Sequence, residues 1–155
     1  MKFKTFLAGC LGGLLSLNSC TNSPDMTDYA AYVNPFIGTG GHGHTFPGAI
    51  VPHGMISPSP DTRIDGWDAC SGYYYADSTI NGFSHTHLSG TGCCDYGDVL
   101  LMPTVGEQKY LPTGSQSQQM AYASAFSHQN ETAEPGYYSV FLDTYQVKAE
   151  LTASK

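Results

Sequence analysis

After residue 17, apolar and polar positions alternate in short runs, and no segment keeps a 3.6-residue apolar spacing over three turns. A single helical turn is predicted at residues 28–33. Seven runs rich in aromatic and β-branched residues predict strands instead. They are residues 48–55, 72–75, 82–86, 98–103, 121–128, 136–142 and 145–151. We therefore predict an all-β fold, an antiparallel β-sandwich whose ligand-binding residues lie on loops.

The last two predicted strands flank Asp143-Thr144, which predicts a β-hairpin. Before them, the Gln- and Ser-rich residues 106–119 predict a long connection. Apolar and polar residues alternate again at positions 147–152, close to the last residue, and a strand there would leave an open sheet edge. We therefore expect the chain to be a truncated domain, with the rest of the sheet further along a longer polypeptide.

The amino terminus has the pattern of an export signal, with Lys2 and Lys4 before an apolar run at residues 6–17. That run is too short to span a bilayer as a stable helix. The tetrad that ends at Cys20 resembles a bacterial lipobox, in which the cysteine is acylated and becomes the first mature residue. A second tetrad ends at Cys10 but leaves almost no apolar run before it, and a plain secretory signal without lipid is the other alternative.

These segments divide the chain into a signal peptide at residues 1–20, a polar tether at residues 21–28 and a domain at residues 29–155. Either kind of signal places the mature protein outside the cytoplasm. Acylation of Cys20 would make it a cell-envelope lipoprotein with an outer-membrane lipid anchor, facing the periplasm or the cell surface.

Charge and composition narrow the class of ligand. The net charge of −7 with only six Lys and Arg residues argues against nucleic acid, whose binding requires a cationic patch. Eleven Tyr and seven Phe residues, set among neutral polar residues, suit a neutral hydroxylated ligand. Beyond Cys20 the chain keeps Cys70, Cys93 and Cys94, an odd number that argues against a full disulfide framework. A single disulfide bond from Cys70 to either Cys93 or Cys94 stays open as an alternative.

The single tryptophan of the chain, Trp67, lies in a glycine-containing turn between Asp65 and Asp68. Its flat apolar face can stack on the C–H face of a pyranose while the carboxylates accept hydrogen bonds from hydroxyls. The alternative is a tryptophan that plugs one end of the sandwich. Nearby, Arg63 is expected to pair with Asp61 or Asp65, or to donate to a sugar oxygen.

Two histidines, His85 and His87, are spaced so that both side chains would point to one face of a strand. This spacing also occurs in metal sites, but no third ligand stands out. The third-ligand candidates are His42, His44, His53 and Asp95. Imidazoles equally bind sugar hydroxyls or brace loops, so we assign no metal ligand. The glycine-rich residues 38–44 are not a phosphate loop, because no Gly-Lys-Ser/Thr follows them.

Several strings of the sequence, taken in order, resemble the amino-terminal domain of glycoside hydrolase family 92, the calcium-dependent exo-α-mannosidases. The strings are VNPFIGTGG, FPGA, SPDTR, DGWD followed by CSGY, GFSHTHLSGTG, DYGD and PGYYSV. They extend from about residue 32 to residue 152, nearly all of the mature chain. His53 departs from the family pattern, in which an aromatic residue is more usual at that position.

The resemblance implies an enzyme that removes terminal α-mannose, with an α-1,2 linkage expected, from N-glycans or mannan with inversion. It places the catalytic acid and base in a helical carboxyl-terminal domain, so we assign no catalytic residue here and expect this fragment alone to be inactive. Calcium is the implied cofactor, with its ligands expected mostly outside this chain. Because calcium prefers oxygen donors, the imidazoles of His85 and His87 are not expected to bind it.

This domain would then supply loops that complete the pocket for α-mannoside glycans at the interface with the missing catalytic domain. The implied substrate-binding residues are Trp67, Asp65, Arg63, His85 and His87. Two alternatives stay open: a stand-alone carbohydrate-binding β-sandwich module, and a small metal-dependent β-fold enzyme that uses His85 and His87. The missing downstream sequence would distinguish the first from an enzyme, and a bound transition metal would favour the second.

Overall fold

A computed structural model of the chain describes residues 27–63, 65–90, 92, 97–109 and 120–154. The predicted signal peptide with Cys10 and Cys20 lies outside these residues, and so do Cys93, Cys94 and most of the predicted 106–119 connection. Cys70 is buried. Within the described ranges, no helix has both the length and the apolar character needed to cross a membrane.

The described residues form seven short strands and no α-helix. The strands are β1 (Ser59–Asp61), β2 (Thr79–Ile80), β3 (Gly82–Ser84), β4 (Ser124–Ala125), β5 (Glu131–Glu134), β6 (Tyr137–Leu142) and β7 (Val147–Thr152). All pairings are antiparallel, β1 with β3, β2 with β4, and β5-β6-β7 in a three-stranded sheet. Three 3₁₀ helices complete the elements: Tyr29–Tyr32, Trp67–Ala69 and His128–Asn130. The predicted mostly-β character and the single turn at residues 28–33 are confirmed.

Strands were predicted correctly where the apolar alternation is longest, at β6 and β7, and in part at β3 and β4. The predictions at residues 48–55 and 72–75 were wrong, because these segments contain turns. His53 and Gly72 have φ angles of 64° and 81°, which interrupt an extended backbone. Residues 98–103 contribute a single bridge, from Leu101 to Phe83. The short or polar strands β1, β2 and β5 carry too little apolar alternation to be predicted.

Both connections in the three-stranded sheet are tight. The predicted hairpin between β6 and β7 is present, but Leu142 pairs with Val147, so four residues rather than two form its loop. In the connection from β5 to β6, Pro135 precedes Gly136, whose φ is 79°. Proline followed by a residue with positive φ is the pattern of a type II turn, which favours glycine at its second central position.

The main core lies on one face of β6. Tyr138, Val140 and Leu142 alternate along this strand and are fully buried, as expected for side chains that point to the same face of a sheet. They pack in one cluster with further buried apolar residues from β2, β3, β7 and the segment after β4: Ile80, Phe83, Ala149 and Phe126. This packing fixes the three-stranded sheet against the two shorter ones.

A buried carboxylate joins this sheet to the segment that follows the 3₁₀ helix Trp67–Ala69. The Glu131 side chain is 1% exposed and lies 2.6 Å from His128 Nδ1. It accepts hydrogen bonds from the hydroxyls of Tyr138 at 2.6 Å and Tyr73 at 3.0 Å. Burial, and then the nearby Glu131 charge, raise the pKa of both tyrosines, so the hydroxyls stay protonated and donate. The contacts position the loop that carries Trp67.

Candidate functional site

The glycine-rich loop is folded on itself and presents two imidazoles. A Cβ atom on Gly43 would lie 2.1 Å from the Gly38 carbonyl oxygen, so only glycine fits at this crossing. The next residue, His44, has a φ of 52°, an unusual conformation for a residue with a side chain. Its carbonyl accepts a hydrogen bond from Gly90 N at 2.7 Å. The loop therefore makes this close backbone approach to itself.

Four side chains meet where this loop contacts the 3₁₀ helix Trp67–Ala69, and we call them the Trp67 cluster: His42, His44, Trp67 and Asp68. His42 Nδ1 lies 2.8 Å from Asp68 Oδ1, and His44 Nε2 lies 3.4 Å from the same oxygen. The hydrogen bond from His42 is the main cause that holds the pKa of Asp68 below its usual value. The Trp67 ring is tilted against His42 at 4.8 Å and contacts His44 edge-on at 4.4 Å.

Trp67 lies at the surface and is 55% exposed, so it does not plug the interior. A Cβ atom on Gly92 would lie 2.7 Å from Trp67 Nε1, and this close approach shows that a backbone segment borders the ring edge. The neighbouring Asp65 is also exposed, and its Oδ1 accepts a hydrogen bond from Gly66 N at 2.8 Å. The exposed ring of Trp67 and the exposed carboxylate of Asp65 therefore lie two positions apart at the surface.

Arg63 has a different partner from those expected. Its Nε and Nη2 atoms donate to the two carboxylate oxygens of Asp77 at 2.8–3.1 Å, instead of to Asp61 or Asp65. The guanidinium also lies 3.9 Å from the centre of the Tyr74 ring. A planar fork paired with one carboxylate and stacked on an aromatic ring is held in a single orientation. Arg63 therefore braces the segment around Tyr74.

The two histidines selected from the sequence have separate partners. His85 Nδ1 donates to the Val99 carbonyl at 2.8 Å. His87 is buried, with a side chain only 2% exposed. Its Nδ1 lies 2.8 Å from the Ser57 carbonyl, so this nitrogen carries a proton. Strand β3 ends at Ser84, before either histidine, so the same-face arrangement expected of a continuing strand is not formed.

The other nitrogen of His87 faces a second buried group. His87 Nε2 lies 2.9 Å from Asp61 Oδ1 and 3.0 Å from Ser84 Oγ. The second carboxylate oxygen, Asp61 Oδ2, accepts a hydrogen bond from Ser84 N at 2.8 Å. We call Asp61, Ser84 and His87 the buried polar network. Because all its polar atoms have partners within the protein, it ties the His87 loop to β1 and β3.

The part of the chain that the structure describes contains one group of three possible metal ligands, namely His42, His44 and Asp68. Sequence reasoning named the two histidines only as third-ligand candidates and did not connect Asp68 to them. These donors do not suit calcium, because two of the three are imidazoles and calcium prefers oxygen. This group of three is therefore not a fitting site for the calcium that the resemblance implies.

Residues 32–155 match the Glycosyl hydrolase family 92 N-terminal domain. Among curated proteins, an "Uncharacterized secreted glycosidase" of Arthroderma benhamiae is 32% identical over 129 residues, which is 83% of this chain and 16% of that protein. The matched region includes the complete Trp67 cluster and the buried polar network.

Solved structures that match the chain belong to the same family. A family GH92 alpha-mannosidase of Bacteroides thetaiotaomicron is 50% identical with a TM-score of 0.75, over 81% of this chain and 17% of its own. It has also been solved in complex with mannoimidazole. A GH92 inverting mannosidase of the same organism is 31% identical with a TM-score of 0.63, over 84% of this chain and 17% of its own. The chain thus spans about a sixth of the length of these relatives. It belongs to glycosyl hydrolase family 92, whose N-terminal domain it matches.

Proposed function

We propose that this chain is the amino-terminal part of an exported α-mannosidase that removes terminal mannose from glycans with inversion. The observation that carries the proposal is the 50% identity to a GH92 alpha-mannosidase over 81% of the chain. The mannoimidazole complex of that relative and the inverting mannosidase among the matches support a mannose-type substrate and inversion. We further propose α-1,2-linked mannose of N-glycans or mannan as the substrate.

In this proposal, residues 29–155 belong to a β-sandwich that is completed by the rest of the protein. A downstream helical domain holds the catalytic acid and base together with calcium, so this chain alone is inactive. The calcium would help to distort the bound sugar. What this chain contributes is the set of loops that border the substrate pocket.

Trp67 and Asp65 are the residues of this chain that we propose to contact the sugar. Trp67 offers an exposed aromatic face, and an exposed carboxylate two residues away is able to accept hydrogen bonds from hydroxyls. The other residues implied by the resemblance, Arg63, His85 and His87, are less exposed than Trp67 and Asp65, and they are held by Asp77, Val99 and Asp61. We propose that they support the substrate pocket by holding these loops in place.

We expect the full-length protein to release mannose from α-linked mannosides in the presence of calcium only. Chelation followed by metal add-back, with the released sugar identified, is the test. Full activity in excess chelator would contradict the calcium requirement, and rescue by zinc alone would favour a histidine-based metal enzyme. Binding of mannosides without any release of mannose would instead favour a stand-alone carbohydrate-binding module.

We also propose that the protein is exported and that Cys20 carries the lipid anchor. A secreted glycosidase among the relatives supports export. Replacing Cys20 with serine is expected to abolish acyl labelling and to move the protein from the membrane fraction to the soluble one. Unchanged labelling of the Cys20→Ser variant would point to Cys10 as the acylated residue.

A further inference from the structure

We propose that His42, His44 and Asp68 form a binding site for a divalent transition metal of the zinc class. The ligand atoms of these three residues all lie within 4.8 Å of one another. His42 Nδ1 and His44 Nε2 face Asp68 Oδ1 at 2.8 Å and 3.4 Å. In a tetrahedral zinc site with bonds of 2.0–2.1 Å, neighbouring ligand atoms are about 3.3 Å apart. Small side-chain shifts would therefore admit an ion between the three donors.

The types of donor indicate the type of metal. Two imidazole nitrogens and one carboxylate oxygen form a set that zinc accepts, with the fourth position left to water. Calcium and magnesium prefer sites made of oxygen, and imidazole also suits copper, nickel and cobalt. Metal binding uses the lone pairs of the two nitrogens that face Asp68, so in the metal-bound form each neutral ring carries its one proton on its other nitrogen. The carboxylate then binds the ion in place of the two N–H groups.

Two of the three donors are already held in place. The His44 side chain is 7% exposed and contacts Trp67 edge-on, and its backbone is kept in the left-handed region at a φ of 52°. Such a backbone costs energy and persists where the surrounding structure imposes it, which is common at functional sites. Asp68 is carried by the 3₁₀ helix Trp67–Ala69. Little conformational freedom would be lost at these positions on binding, which favours affinity.

The third donor provides access. The His42 side chain is 71% exposed, so an ion from solvent reaches the site without any opening of the fold. Both imidazoles contact the Trp67 ring, and a bound ion would therefore also restrict the motion of that ring. The inference does not depend on mannosidase activity, because it concerns binding at residues of this chain and is tested by metal uptake.

The test uses metal-stripped full-length protein titrated with Zn²⁺ by calorimetry and with Co²⁺ by visible absorption. We expect the wild type to bind one equivalent of Zn²⁺ at this site. His42→Ala should bind that equivalent more than roughly 100-fold more weakly, because mutation even of the residues that support metal ligands lowers affinity 10- to 100-fold. The Co²⁺ absorption bands of the wild type should be missing from His42→Ala and weakened in Asp68→Asn.

His53→Ala is the matched control, because His53, like His42, is an exposed histidine but lies outside the Trp67 cluster. It should bind metal like the wild type. Thermal unfolding of each variant establishes that it is folded, and Asp68→Asn keeps the comparison valid should His42→Ala prove unstable. Equal Zn²⁺ uptake by the wild type, His42→Ala and Asp68→Asn would overturn the proposal. Displacement by Ca²⁺ of the Zn²⁺ that the wild type binds at this site would also overturn it.

Discussion

Replacing Asp61 with alanine is expected to lower the free energy of unfolding by about 2–6 kcal/mol, because it removes the buried carboxylate that bonds His87 and Ser84, and each buried polar group that loses its partner costs roughly 1–3 kcal/mol. The Asp61 and His87 side chains are 8% and 2% exposed, and their atoms meet at 2.9 Å. The substitution also leaves Ser84 N, which donates to Asp61 Oδ2 at 2.8 Å, without an acceptor. Urea unfolding of the full-length protein, followed through the transition of this domain, measures the loss.

Asp65→Ala is the matched control, since it removes an exposed aspartate from a neighbouring loop and is expected to change stability by less than about 0.5 kcal/mol. An equal loss of unfolding free energy in Asp61→Ala and Asp65→Ala would contradict the stabilising role of the buried polar network. His87→Ala should resemble Asp61→Ala, because it leaves the Asp61 carboxylate buried without its imidazole. A stable His87→Ala protein with reduced activity would instead support direct contact between His87 and substrate.

Trp67→Ala is expected to lower kcat/KM of the full-length enzyme roughly 10- to 100-fold, equivalent to about 1–3 kcal/mol of transition-state binding. The physical reason is the loss of an aromatic face that would stack on the sugar. Because Trp67 is 55% exposed, its removal opens no interior cavity, and the melting temperature should change little. Initial-rate kinetics on an α-mannoside and thermal unfolding of the same preparation provide the two measurements.

Tyr32→Ala serves as the control for Trp67→Ala. Tyr32 is likewise an exposed aromatic residue on a 3₁₀ helix, at 80% exposure, but it is not part of the Trp67 cluster. Its loss should leave kcat/KM near the wild-type value. The sugar-stacking role of Trp67 would be refuted by a large fall in melting temperature with normal turnover, the behaviour of a buried aromatic residue whose removal costs about 3–5 kcal/mol.

Local sequence patterns determined the strands that fold against their neighbours in the chain. Apolar and polar residues alternate along β6 and β7 because one face of β6 is buried in the core. The two strands are also consecutive in the chain and pair with each other, so the hairpin is predictable from a local pattern. The family strings were also local, and they identified the class of protein without any contact information. The glycine-containing turn suits a surface position for Trp67, but the sequence alone leaves a plug of the sandwich as the alternative. The wrong strand at residues 48–55 shows the limit, because strand propensity does not reveal the positive φ of His53.

Tertiary structure alone decided which polar groups meet. Arg63 pairs with Asp77, 14 positions away, although nearer aspartates were expected. His87 meets Asp61 across 26 positions, and His42 meets Asp68 across the same separation. Spacing along a chain predicts contacts only within one helix or strand, whereas these pairs come together because separate loops pack side by side. For that reason the sequence indicated which residue types carry the chemistry, and the packing of loops decided that the Trp67 cluster faces solvent while His87 is buried.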